Sequence, residues 1–397
     1  MSLQTAATPK SALWTIPIMF CLFLAGEFLA LIHMGLALAD RGMSGFGIGL
    51  VSSALWGGIL LACLKSAGWA ARWGTAAVMI WAAGLATLIM AVTALHDWYP
   101  GWIMGSFLIG LTNGAIWVLG ESWLTQAAPA ERRGMMVGLF ETSVGIGMLT
   151  GPLLLPLSIG AGLPPLGLAA SLMGTGFLVL LPLTDRRIRD TGRAGTAIGD
   201  DPADRQDTAP TAAATTLPLI LVAALAGLLE SGSSALLPPV STRIGFSLAE
   251  AATLGAVVGA GSALLQTPFG LLADRIGTGR TILLAWAILI LATAFLALTA
   301  GAPELALWPV AFAMGGVGGA VYTLIVIAIG HRLTGTELIQ AMGWLIIAYA
   351  LGSVSGPLIG GAIFDLAGFP ALTLAFCAAS LVGIASAIMA LKRMGRI

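Results

Sequence analysis

The chain has 397 residues, is 58% hydrophobic and 9% charged, and carries no formal net charge. Soluble proteins carry roughly 25% charged residues, so this length does not stand for two or three soluble domains. A neutral balance also gives no footing for a nucleic-acid partner.

The first ten residues lack the charged start and cleavage site of a removable signal peptide, and the apolar run from about Leu13 is long enough to remain as a spanning helix. A window of about 19 residues finds twelve apolar runs: 13–38, 45–65, 73–95, 101–126, 134–155, 163–183, 216–240, 248–272, 280–300, 304–330, 338–362 and 369–391. Each is long enough to cross a hydrocarbon core of roughly 30 Å. Helices are required because the bilayer offers the backbone no partners.

Basic residues fix an orientation. Lys10, Arg72, Arg132, Arg133, Arg186, Arg187, Arg189, Arg193, Arg205, Arg275, Arg280, Arg332, Lys392, Arg393 and Arg396 fall on one side, with Lys65 near it at the end of span two. Arg41 and Arg243 fall on the other. The positive-inside rule makes the rich side cytoplasmic, with both termini there. The expected location is the cell inner membrane.

The polar segment from about Thr184 to Thr216 reads as a flexible linker between two six-helix halves. The halves resemble each other. Gly147, Gly151 and Pro152 in span five recur as Gly352, Gly356 and Pro357 in span eleven, 205 positions later, as Gly138 does in Gly343 and Trp117 in Tyr322. Arg72-Trp73-Gly74 matches Arg275-Ile276-Gly277 at 203, and Arg41 matches Arg243 at 202. The expected fold class is an all-α membrane protein with twelve transmembrane helices in two pseudo-symmetric six-helix bundles. Its parts are 1–183, a cytoplasmic linker 184–215, and 216–397. Two such repeats suit a rocker that opens a midplane site to each side in turn.

Glu27, Glu121, Glu141 and Glu230 lie inside apolar runs with no basic partner at the same depth. A carboxylate in hydrocarbon costs several kcal/mol unless it is neutralised, paired or wetted, so these acids point to a polar pathway. Glu230 is followed by Ser233 and Ser234 on the same helix face. That stripe reads either as a cavity wall or as hydroxyls bonded back to their own helix. Glu27 has apolar neighbours on its face, which suits a proton carrier or a neutral acid bonded to a neighbouring helix. Glu121 reads as gate or substrate contact, and Glu141 mostly as structure. Asn113 and Trp117 are spaced to share a cavity face, with Tyr322 opposite Trp117 by pseudosymmetry, and aromatics suit apolar or cationic ligands. His33 is a lone intramembrane histidine, a relay or a packing residue. Trp98, Trp102 and Trp123 read as belt or packing residues.

Cys21, Cys63 and Cys377 fit neither a zinc site nor a disulfide framework. There is no Walker loop, G-x-S-x-G or G-x-G-x-x-G. No metal, cofactor or enzymatic activity is expected.

Between spans eight and nine, Gly270, Asp274, Arg275, Gly277 and Arg280 are spaced in a way that resembles the loop signature of the major facilitator superfamily. The resemblance covers nearly the whole chain. It implies a cytoplasmic latch, with Gly270 allowing close helix contact and the charged residues tying helix ends together. The first-half loop keeps Lys65, Arg72 and Gly74 but has Ala71 where an Asp is expected, so the latch should be stronger in the second half. Gly49–Ser53, Ala115–Ser122 and Gly352–Pro357 resemble the YcaD-like branch. Gly145–Pro152 is similar to the glycine-proline motif of drug/proton antiporters, or is a packing face and kink shared by both halves. Ser106 stands where many proton-coupled relatives place an Arg.

The resemblance implies cavity-lining by the first, fourth, seventh and tenth helices. The expected function is a secondary active transporter of a small organic molecule, neutral or cationic, working by alternating access as a monomer with proton-coupled export. Metabolite uptake and a transporter-like receptor or scaffold are the alternatives.

Overall fold

The computed structural model describes residues 12–127, 133–181, 209–299, 301–330 and 335–393. The charges Lys10, Arg132, Arg186, Arg187, Arg189, Arg193, Arg205, Arg332 and Arg396 lie outside these residues, as does most of the expected linker.

The described chain is helical throughout. The first half holds α1 (Ala12–Asp40), α2 (Gly45–Trp73), α3 (Thr75–Leu95), α4 (Tyr99–Ala127), α5 (Arg133–Gly160) and α6 (Pro165–Leu180). The second holds α7 (Ala209–Arg243), α8 (Leu248–Ile276), α9 (Thr278–Leu298) and α10 (Glu304–Gly330). Gly335–Arg393 follows as a helical stretch broken at Gly368, where φ is 75°. Its arms are α11 (335–367) and α12 (369–393). Span two is longer than expected: 66–73 carries no proline, and the helix runs through Gly68 to Gly74. The expected gap at 363–368 shrinks to Gly368 for the same reason, with Pro370 in the first turn of α12.

The internal repeat is written in the turns. Gly42 and Gly245, Gly74 and Gly277, and Gly162 and Gly368 are paired positive-φ glycines, 203, 203 and 206 positions apart. Gly74 and Gly277 share almost the same geometry, φ 87° and ψ 142° against φ 90° and ψ 142°. Each stops one long helix and starts the next, in a region that side chains rarely adopt.

Each half has its own apolar core. Within the halves, the paired glycines of α5 and α11 carry the packing. A Cβ on Gly151 would stand 2.5 Å from the Ala25 carbonyl of α1, and one on Gly356 would stand 2.3 Å from the Leu228 carbonyl of α7. The same pattern therefore seats α5 on α1 and α11 on α7. Pro357 cannot donate to the Ser353 carbonyl one turn back, and the Ser231 hydroxyl of α7 donates to that carbonyl instead, at 2.8 Å.

The halves meet toward the Arg41/Arg243 end. Gly49 of α2 backs onto the Pro357 carbonyl of α11, and Gly259 of α8 onto the Met148 carbonyl of α5. Asp365 of α11 accepts from the backbone N–H of Gly45 at 2.5 Å and of Phe46 at 2.9 Å, capping α2 from the opposite half. The pseudo-equivalent helix α8 supplies its own cap, a reciprocal Ser247–Glu250 box. Arg243 donates to the Met43 carbonyl and covers the Phe364 ring. Arg41 instead stays in its own half, bonded through both guanidinium nitrogens to Asp97 at 2.7 Å.

At the Gly74/Gly277 end the latch expected of the second half is disengaged. Asp274, Arg275 and Arg280 are exposed and make no hydrogen bond or ion pair among the described residues. A Cβ on Gly270 would meet nothing within 4 Å, so the expected close helix contact there is absent.

Candidate functional site

Glu27 and Glu230 each lie thirteen residues before the end of their helix, α1 and α7. Both reach the middle of the fold, and both are almost fully enclosed, 4% and 9% exposed. Their surroundings differ.

Glu27 stays inside the first half. Asn113 Nδ2 of α4 donates to its Oε1 at 3.0 Å, while Glu27 Oε2 and Asn113 Oδ1 have no protein partner. An amide can donate to a carboxylate or accept from a carboxylic acid after rotation, so Asn113 can serve both protonation states.

Glu230 is held by α10 and α11 of its own half, beside a tyrosine that reaches the other half. The Tyr349 hydroxyl of α11 donates to Glu230 Oε2 at 2.6 Å. Gly318 and Gly319 of α10 make room for it: a Cβ on Gly318 would stand 2.9 Å from the Glu230 Cβ. The Tyr349 ring lies 4.8 Å from Tyr322 of α10 and 5.9 Å from Trp56 of α2, so an aromatic wall crosses from one half to the other. Glu141 acts electrostatically on Tyr349 and Tyr322, and Glu121 on Tyr322, while Glu141 also reaches Glu121 and Glu230. Trp56, Tyr349 and Tyr322 thus form one aromatic run across the meeting of the halves, with Glu230 bonded to its middle member. Acidic groups beside aromatic faces attract organic cations.

Several sequence expectations change here. Ser233 and Ser234 do not extend the carboxyl: both hydroxyls donate to the Glu230 backbone carbonyl, because each lies one turn away on the same helix. Tyr322 packs against Tyr349 of its own half. Trp117 packs edge-on against Phe20 and Phe140, because α4 turns that face toward its own half. Tyr349, Trp56 and the Gly318-Gly319 pair were not picked out. Three tyrosines in the whole chain were the available signal for Tyr349, since one placed mid-span needs a hydrogen-bond partner.

A family model for the Major Facilitator Superfamily matches residues 16–217 and 219–395. The chain belongs to the Major Facilitator Superfamily. It is similar in fold to a D-xylose-proton symporter, with TM-score 0.79 and 12% identity over 96% of this chain and 97% of that one. A mutant of the peptide transporter POT gives 0.78 and 14%, covering 99% and 97%. The nucleoside transporter NupG gives 0.69 and 11%, covering 96% and 98%. At these identities the likeness carries the fold. No curated protein matches the chain. Membership of the superfamily makes this chain a multi-pass membrane transporter of small molecules, in a fold that holds its cargo between its halves.

Proposed function

We propose that the protein is a proton-coupled exporter of small organic cations or neutral organic molecules, working by alternating access in the cell inner membrane as a monomer, within the YcaD-like branch of the superfamily. The observation that carries this reading is Glu230, held by Tyr349 beside the Tyr322 and Trp56 rings in the gap between the halves. Glu230 takes either a proton or the cationic group of the cargo, and its release of one accompanies capture of the other. Glu27 is the second proton site, and Glu121 and Glu141 line the route toward the Gly74/Gly277 end.

The lysine and arginine distribution puts both termini and the Gly74/Gly277 end in the cytoplasm. The described form is then open inward, with its latch released. Export is supported by the Gly145–Pro152 run, where Gly145 packs against Ala263 of the opposite half on a surface that must part when the outer side opens.

The test is reconstitution in proteoliposomes with a panel of organic cations and neutral compounds under an imposed pH gradient. Gradient-driven flux of a cation or neutral compound that is lost in Glu230→Gln supports the reading. Equal flux in Glu230→Gln overturns the role of Glu230, and no flux of any compound points to a receptor or scaffold.

A further inference from the structure

Glu27 is enclosed within the first half, so a proton needs a route to reach it. Four of the buried polar atoms without a protein partner among the described residues belong to one small region: Glu27 Oε2, Asn113 Oδ1, Ser106 Oγ and Trp102 Nε1. Their residues are between 1% and 4% exposed.

The last three share one helix face. Trp102, Ser106 and Asn113 are separated by four and seven residues on α4, which at 100° per residue places them within about 40° of one another. They span about 16 Å along the axis, from mid-depth to the first turn of the helix. Ile109 is the apolar member of that face.

The outer end of this face is also polar. The Trp102 ring lies 6.5 Å from His33 of α1, and the Arg41 guanidinium sits 5.0 Å above it. Arg41 is held by Asp97, and both exert their charge on His33. Those two residues are about half exposed, so they stand at the water surface.

Buried polar groups left without a protein partner are characteristically served by ordered water, and such water typically makes about three hydrogen bonds. Four such atoms in line, ending at a carboxyl on one side and a solvent-facing ion pair on the other, have the layout of a wire. We infer that the seam between α1 and α4 holds a file of ordered waters that delivers protons from the Arg41/Asp97 surface to Glu27. This inference rests on the proposal that Glu27 is a proton site.

The chemistry balances without an electron step. A proton taken up at His33 passes to the first water, and each later hop moves one proton from an O–H to the next oxygen. Ser106 both donates and accepts, so it can pass the proton on. Trp102 only donates and Asn113 does not titrate, so both anchor waters without carrying the charge. Glu27 ends the file by binding the proton as a neutral acid, and the file resets by rotation of its hydroxyls. The other acids on helices packed against α1 are Glu121 on α4, Glu141 on α5, Glu230 on α7, and Glu250 and Asp274 on α8. None contributes to Glu27's surroundings, whose polar partner is Asn113. Lys65 and Arg72 of α2 lie toward the opposite end.

The test follows the Glu27 carboxyl itself, in the full chain reconstituted in liposomes, by infrared spectroscopy on switching from H2O to D2O. The band is assigned by its loss in Glu27→Gln. In Ser106→Val, which replaces the hydroxyl by a methyl group and has the size of the threonine control, deuteration of that band is expected to slow by roughly ten-fold or more. Ser106→Thr, which restores a hydroxyl, is expected to keep the parent rate and guards against a folding defect. Equal rates in parent and Ser106→Val overturn the file, as does equal slowing in Ser106→Thr. Failure of the coupling proposal looks different: Glu27 exchanges through the file, yet Glu27→Gln transports with an unchanged pH response.

Discussion

The Tyr349 hydroxyl donates to Glu230 at 2.6 Å, joining α11 to α7 at the level where the two halves face each other. This bond orients the carboxyl beside the Tyr322 and Trp56 rings and replaces part of the hydration that burial removes. Hydrogen bonds to charged groups are worth about 1.5–3 kcal/mol. Tyr349→Phe is therefore expected to lower gradient-driven flux by roughly ten- to hundred-fold while leaving the fold intact. Initial rates in proteoliposomes check this, and flux at the parent level would separate the tyrosine from the coupling step.

The packing glycines give a contrast within one protein. Gly151→Ala and Gly356→Ala push a methyl group into a facing carbonyl, 2.5 Å and 2.3 Å away. Overpacking of this kind costs about 1–3 kcal/mol. Both variants should melt several degrees below the parent in detergent. Gly270→Ala meets open space and removes a poor helix former, so its Tm should hold or rise. A drop at Gly270 equal to that at Gly151 would mean that the described conformation is not the one populated in detergent.

Asp365 is expected to hold the Arg41/Arg243 end shut, because it caps α2 across the interface. A carboxylate at a helix N-terminus contributes about 0.3–1 kcal/mol, and up to about 2 when partly buried. Asp365→Ala should open that end more often. The readout is the rate at which a membrane-impermeant maleimide labels Ser52→Cys, which is 3% exposed, in a background without the three native cysteines. Faster labelling from the Arg41/Arg243 face is expected, and an unchanged rate would remove Asp365 from the closure.

Asp274→Asn should move the same readout the other way. Its latch is disengaged in the described form, so the charge stabilises the alternative form, and its loss shifts the population toward the one seen here. Slower labelling of Ser52→Cys is the expected result.

Much of the architecture was legible because its causes are local. Apolar run length sets the helices, and the paired glycines set both the turns and the close contacts, so Gly74 and Gly277 or Gly151 and Gly356 could be matched by position alone. The depth of Glu27 and Glu230 followed from the same counting. The direction each acid faces did not, because it depends on helix rotation against neighbours far away in sequence. Asn113 lies 86 positions from Glu27, and Tyr349 lies 119 from Glu230. Pseudosymmetry gives Trp117 and Tyr322 a common depth, while their ring neighbours are set by each half's own packing. The latch at Asp274 was legible as a motif, while its disengagement is a property of conformation.

The most direct measurement of the central claim is proton movement triggered by cargo. Proteoliposomes with a pH dye trapped inside, at equal pH across the membrane, receive an outward gradient of an organic cation that the panel shows to be transported. The account predicts a change in internal pH that reverses with the cation gradient, is abolished in Glu230→Gln and is strongly reduced in Tyr349→Phe. Cation flux with no accompanying pH change, or a pH change that persists in Glu230→Gln, would contradict it.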